Sequence, residues 1–244
     1  MESKYTLETT VPLSVCDTTG CLGWPGAFRW FMDLAAEAAE RGGFGANLLR
    51  ERGLFWITVR TRIRMYRPAP LLTPIRIDTW PGKPRKTRCD RDYTIRSAEG
   101  ELLWAGKTEW TVLEPKTGKI HLIENIYPDE LREHLTEDTV WDEPFAYIDE
   151  DFTSGEELGM CVVRSSDLDF EGHMNNAAYP RALFGMFSAQ ELRERPFHDA
   201  ELCFRAPAYE GQTLRVLARR EDAGTDAGFF NEEGRIVLLA RLRH

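Results

Sequence analysis

One order of segments occurs twice along this 244-residue chain. Asp17-Thr-Thr-Gly20-Cys-Leu-Gly-Trp24 precedes an apolar stripe of helical spacing, and Asp169-Phe-Glu-Gly172-His-Met-Asn-Asn176 precedes a second one. In the first copy Phe28, Phe31, Leu34, Ala35 and Ala38 recur at spacings of three and four. This predicts a helix over residues 25–41, opened by Pro25 and stopped by Gly42-Gly43. In the second copy Leu183, Phe184, Phe187 and Leu192 predict one helix over residues 177–195, with Pro180 tolerated near its start. Alternating, strand-like segments follow the first helix at residues 55–67, 74–80, 91–96 and 102–113, and Ser97-Ala-Glu-Gly100 reads as a hairpin turn. Residues 200–207 echo 62–70, and the hairpin at 229–239 echoes that at 95–104 with Gly234 in the place of Gly100. Two copies of one α+β unit follow, residues 1–125 and 160–244, joined by an acidic linker over 126–159.

The net charge of −9 argues against nucleic acid as a general partner. Its distribution is uneven. Residues 60–88 hold nine arginines and lysines against Asp78 alone, and residues 129–157 reverse that balance. Such a basic face either attracts an acidic partner or decorates the solvent side of ordinary strands. The five cysteines include no Cys-x-x-Cys pair, so neither a zinc ribbon nor a thioredoxin-like site is supported, and buried free thiols are expected. No apolar run approaches the ~20 residues of a membrane span, and the first residues lack a secretory pattern, so a cytoplasmic protein is expected.

The repeat is degenerate where chemistry is concentrated. Cys21, Gly23 and Trp24 stand where the second copy has His173, Asn175 and Asn176. This predicts a division of labour in which one copy binds and the other reacts. At Asp167-Leu-Asp169-Phe-Glu-Gly-His173-Met-Asn175-Asn176-Ala-Ala-Tyr179 the sequence resembles the acyl-acyl-carrier-protein thioesterases of plants and bacteria. Gly53-Leu-Phe-Trp-Ile-Thr-Val-Arg, Thr79-Trp-Pro81 and Trp110-Thr-Val-Leu-Glu-Pro-Lys-Thr-Gly-Lys extend the likeness over most of the chain. The resemblance implies a tandem hotdog, two antiparallel sheets each wrapping a long central helix, with the acyl chain mainly in the N-terminal copy. Two features depart from the family pattern. Glu171 stands where the plant motif has Asn, and a Glu-Cys pair expected after the strand at 200–204 is replaced by Ala206-Pro207, with Glu210 displaced.

That resemblance directs the chemistry towards hydrolysis of fatty-acyl thioesters in fatty acid biosynthesis. Asp169 is the expected nucleophile or base towards water, and His173 either a base or a positioning group. The N–H groups of Gly172 and His173, placed at a helix start, would polarise the carbonyl. Asn175 and Asn176 would orient water or fix the loop, and Glu171 either replaces the missing base or is solvated. Tyr179 belongs to the motif, and Trp56 is expected to line an acyl tunnel. The bland alternatives are that Asp169 only caps a helix and that the tryptophans are core. Lys83, Arg85 and Lys86 are the expected docking site for an acidic acyl carrier protein. No metal or organic cofactor is implied, and monomer or homodimer are both compatible. An acyl-coenzyme A thioesterase on the same scaffold fits the residues too. A decayed acyl-binding protein is disfavoured by the retained Asp169, His173 and asparagines.

Overall fold

A computed structural model describes residues 3–244. The first copy runs β1 (Tyr5–Thr10), α1 (Trp24–Arg41), α2 (Ala46–Glu51), β2 (Phe55–Met65), β3 (Pro74–Pro81), β4 (Cys89–Ser97) and β5 (Leu102–Glu114), with a short β6 (Lys119–Ile120) and α3 (Asp129–Arg132). The second runs β7 (Glu156–Val162), α4 (Ala178–Phe184), α5 (Ala189–Glu194), β8 (Asp199–Phe204), β9 (Thr213–Glu221), β10 (Gly224–Phe230) and β11 (Ile236–Arg243). The expected two sheets are halves of one antiparallel sheet in the order β1-β3-β4-β5-β2-β8-β11-β10-β9-β7, with β6 on β5. The halves mirror each other about the β2–β8 pair, which runs from Arg60 opposite Cys203 to Arg64 opposite Asp199.

Alternation puts Ile63, Ile77, Tyr93, Ile95 and Trp104 on the inner face, where they bury the stripe of Phe28, Phe31, Leu34 and Ala35 on α1. Phe31 stacks on Tyr93 at 4.6 Å between ring centroids and lies over Gly106. A Cβ at Gly106 would stand 2.5 Å from the Phe31 ring, so glycine lets the helix reach the sheet. Among the described residues no helix is long and apolar enough to cross a membrane.

The second helix differs from its expected form. In place of one helix over 177–195 the chain forms α4 and α5, divided at Gly185–Ser188. Ser188 Oγ accepts the N–H of Glu191 at 3.1 Å, and the Glu191 carboxylate accepts the N–H of Ser188 at 2.8 Å. This capping box starts a new helix, and the reorientation lets Phe184 and Phe187 both pack on Phe197. A long central helix therefore exists only in the first copy.

Residues 126–159 form a strap rather than a free tether, and their last residues, from Glu156, already belong to β7. The strap crosses the outer face of the sheet. Asp92 Oδ1 accepts from Val140 N and Thr139 Oγ1 at 3.0 Å each, Trp141 Nε1 donates to Tyr66 Oη at 2.9 Å, and Lys107 Nζ donates to the Trp141 carbonyl. Glu143 pairs with Arg62 and Arg64, so the acidic run neutralises part of the basic one.

Glu201 fixes the middle of the strap by accepting the N–H of Ala146 at 3.0 Å. Burial pushes its carboxyl up to about 7, against the opposing pull of that N–H and of Arg62 and Arg60. A carboxyl raised in the folded state contributes stability that is full below the ordinary glutamate range and is lost as pH rises through about 7. Glu201→Gln removes this dependence. Relative to wild type the variant is expected to gain up to on the order of 3 kcal/mol between pH 4.5 and 8. Urea melts at both pH values measure the change, and a constant difference between the two proteins would show that Glu201 does not titrate in this window.

Candidate active site

The site begins with a tight loop before α4. Asp169 N donates to the His173 carbonyl at 2.8 Å, and Gly172 N to the Asp169 carbonyl at 3.1 Å, with Gly172 at φ +79°. Asp169 Oδ1 then accepts the N–H groups of Glu171 (2.9 Å) and His173 (3.2 Å). The first copy builds the same loop. Asp17 N donates to the Cys21 carbonyl at 2.9 Å, Gly20 has φ +74°, and Asp17 Oδ1 accepts Thr19 N at 2.8 Å. The aspartate is thus a loop fastener in both copies, and only the second copy places a histidine and a second carboxylate on the loop it fastens.

This geometry corrects two expectations. Asp169 does not stand just before a helix, because α4 starts at Ala178. The N–H groups of Gly172 and His173 are not free helix-end donors, since both are taken by Asp169. Asn175 turns the chain into α4, accepting Ala177 N on its side chain at 2.9 Å and Ala178 N on its carbonyl at 2.8 Å. It is exposed and does not line the cavity that its neighbours line.

That cavity, about 490 Å³, lies between α1, the start of β2, the inner face of β4 and β5, and the motif loop. Asp169, Glu171, His173, Asn176, Tyr179 and Trp56 all line it. Gly172 forms the turn behind them. Trp56 is pinned by donating Nε1 to the Phe44 carbonyl at 2.9 Å. The His173 ring packs edge-on against Tyr209, 5.1 Å between centroids, which limits its orientation. Burial first, and then the charge of Asp169, push the Glu171 carboxyl up to about 7. Burial also raises the Tyr179 hydroxyl above its ordinary range, so it is a hydrogen-bonding group and not an anion at neutral pH. Lys83, Arg85 and Lys86 do not line the cavity. Lys83 pairs with Glu137 at 2.8 Å, and Arg85 with Asp90 and Glu109 at 2.8 and 3.2 Å.

Three groups at the cavity carried no sequence signal. Arg205 lines it and pairs with Glu150 of the strap. Phe170 is 69% exposed in the motif loop, with the Arg50 guanidinium 5.9 Å from its ring. Arg91 projects inward from β4. In the first copy Trp24, which replaces Asn176, stacks on Phe184 at 5.4 Å and edge-on to Trp104 at 4.9 Å. The space beside the first loop is therefore filled by aromatic rings.

Two family models match this sequence: the acyl-ACP thioesterase N-terminal domain over residues 2–133 and the acyl-ACP thioesterase C-terminal domain over residues 153–236. The chain belongs to the acyl-ACP thioesterase family. Among curated relatives, the chloroplastic acyl-[acyl-carrier-protein] hydrolase FATB2 of Cuphea viscosissima is 27% identical over 195 residues, 76% of this chain and 46% of that protein. The chloroplastic dodecanoyl-[acyl-carrier-protein] hydrolase of Umbellularia californica is 24% identical over 214 residues, 82% of this chain and 55% of that protein. The chain thus spans about half the length of the curated relatives it matches. An acyl-ACP thioesterase structure from Bacteroides thetaiotaomicron superposes with a TM-score of 0.86 at 16% identity, covering 99% of this chain and 97% of that one. The 12:0-ACP thioesterase structure from Umbellularia californica gives 0.85 at 17% identity, covering 100% and 97%. The described residues share the fold of these structures, a tandem hotdog.

Proposed function

We propose that this chain hydrolyses fatty-acyl thioesters of acyl carrier protein to free fatty acid and carrier thiol, with water as nucleophile and Glu171 as its base. The observation that carries this is the placement of Glu171 with His173 and Asn176 on the wall of a largely apolar cavity, where burial and the charge of Asp169 push its carboxyl up to about 7. A base acts best when its pKa lies near the working pH, and Glu171 is placed there by burial and by Asp169. Glu171 takes a proton from water as the oxygen attacks the acyl carbon. The tetrahedral intermediate then expels the carrier sulfur, which leaves as a thiol after taking a proton back. A thiolate is a good leaving group, so one general base suffices. The Asn176 amide is the donor we assign to the developing oxyanion, in place of the occupied loop N–H groups. His173 orients the substrate or water from the same wall. The names of the curated relatives support the carrier as acyl donor, so that the reaction ends acyl elongation; we place it in the cytoplasm. An acidic carrier would meet Arg50 and Phe170 beside the motif loop, whereas Lys83 and Arg85 are already neutralised within the chain.

Release of free fatty acid from a panel of acyl-carrier thioesters tests the reaction, with matched coenzyme A esters as the competing class. Asp169→Ala is expected to lower kcat/KM by about 100-fold, since it frees the loop and removes the charge that raises Glu171. Asp17→Ala, on the loop that carries neither a histidine nor a second carboxylate, is expected to stay within about threefold of wild type while losing about 1 kcal/mol of stability. Equal losses of activity in both variants would sink the division of labour between the copies.

A further inference from the structure

We propose that the acyl group taken by this cavity carries an oxygen function on its distal half, held by Arg91; this rests on the hydrolase reading of the site. Arg91 lies on the inner face of β4 between the buried Cys89 and Tyr93 and is 5% exposed. It lines the cavity. Its one side-chain hydrogen bond among the described residues runs from Nη1 to Thr79 Oγ1 at 3.2 Å. Among the described residues it is in no ion pair, while the acids beside it on β4 face the other side of the sheet. There Asp90 pairs with Arg85, and Asp92 accepts from the strap. The neighbouring wall includes Ala35, Ala39, Trp110 and Leu113, which offer no side-chain acceptor, and among the described residues Arg91 makes no hydrogen bond to the Thr58 and Tyr127 hydroxyls or the Cys89 thiol that also line the cavity.

A guanidinium stays charged when buried, and a buried charge is ordinarily paired or hydrogen-bonded on its remaining donors. Here the protein supplies one hydroxyl and leaves the other donors to the cavity. A saturated hydrocarbon chain gives them nothing. A hydroxyl, oxo or carboxylate oxygen gives them an acceptor, and it removes the desolvation penalty that a methyl terminus would leave standing. The order β4-β5-β2-β8 sets the position of that oxygen, since the motif loop lies beside the end of β8. Three strand spacings of ~4.8 Å amount to about 14 Å. C–C bonds of ~1.5 Å at angles of ~111° advance ~1.25 Å each, so an extended chain covers that span in about twelve carbons.

The test uses the full chain with carrier-bound esters of about twelve carbons: plain, with a hydroxyl or oxo group near the far end, and with a terminal carboxylate. Wild type is expected to favour at least one oxygenated ester over the plain one about tenfold or more in kcat/KM. Arg91→Met should erase that preference by slowing the oxygenated ester and sparing the plain one, and Arg91→Lys should retain part of it. A wild type that hydrolyses plain esters as well as every oxygenated one overturns the proposal, as does an Arg91→Met variant that is folded and slows all esters alike. Thermal shift of wild type with dodecanoic acid against its 12-hydroxy and dicarboxylic counterparts separates this from the reaction itself. Larger shifts with the oxygenated acids support the Arg91 subsite even if no thioester is cleaved, and equal shifts count against it.

Discussion

Replacement of Glu171 by glutamine is expected to lower kcat/KM for acyl-carrier thioesters by about 10²- to 10⁴-fold, the range over which a positioned general base contributes. The side chain makes no hydrogen bond in the loop; only the Glu171 N–H does, to Asp169 Oδ1 at 2.9 Å. Glutamine preserves that bond, the shape of the wall and the turn at Gly172. Folding stability should therefore not fall, and relative to wild type it should rise with pH as argued for Glu201→Gln, while the loss of activity should appear in kcat with KM little changed. Asp169→Asn is a useful companion. Asparagine keeps an oxygen for the two loop N–H groups but removes the charge that helps to raise Glu171, so its rate should fall by less than that of Glu171→Gln. A Glu171→Gln enzyme within threefold of wild type would move the base to His173 or Asp169.

The second large effect is on stability. Trp24→Ala is expected to cost about 3–5 kcal/mol, the usual range for truncating a buried tryptophan. Trp24 is nearly buried, and it ties the copies together: Trp104 belongs to β5 of the first, and Phe184 to α4 of the second. Removing it opens a void at the place that Asn176 occupies in the other copy. Guanidinium unfolding monitored by two probes measures the loss. A cost below about 1 kcal/mol would mean that the aromatic stack is not what joins the halves.

Much of this was legible in the sequence because periodicity and repetition report directly on local structure. The stripe from Phe28 to Ala38 placed a helix at 25–41, and the chain forms it at Trp24–Arg41. Gly100 and Gly234 marked the same turn in both copies, and both have positive φ. The second helix was misplaced because its apolar spacing continues through 187, while the Ser188–Glu191 capping box, a signal of a new start, competes locally and wins. The shared Asp17 and Asp169 held a clue to their role. A residue kept in a copy without the histidine serves what both copies share, and that is the loop. Other features could not be read along the chain. Alternation shows that Arg91 shares a face with Tyr93, but not that its charge finds no acid there, because that depends on every element packed opposite. In the same way, the acidic run at 129–157 became a strap only once the outer face of the sheet was known.

The most direct measurement is the pH dependence of kcat/KM for a carrier-bound acyl ester, taken side by side for wild type and Glu171→Gln. A raised carboxyl acting as base is competent only when deprotonated, so the wild-type rate should climb with pH through a midpoint of about 7. The variant should lose both the rate and that limb. A slow Glu171→Gln enzyme that still rises through the same midpoint would contradict Glu171 as the base and assign the titration to another group.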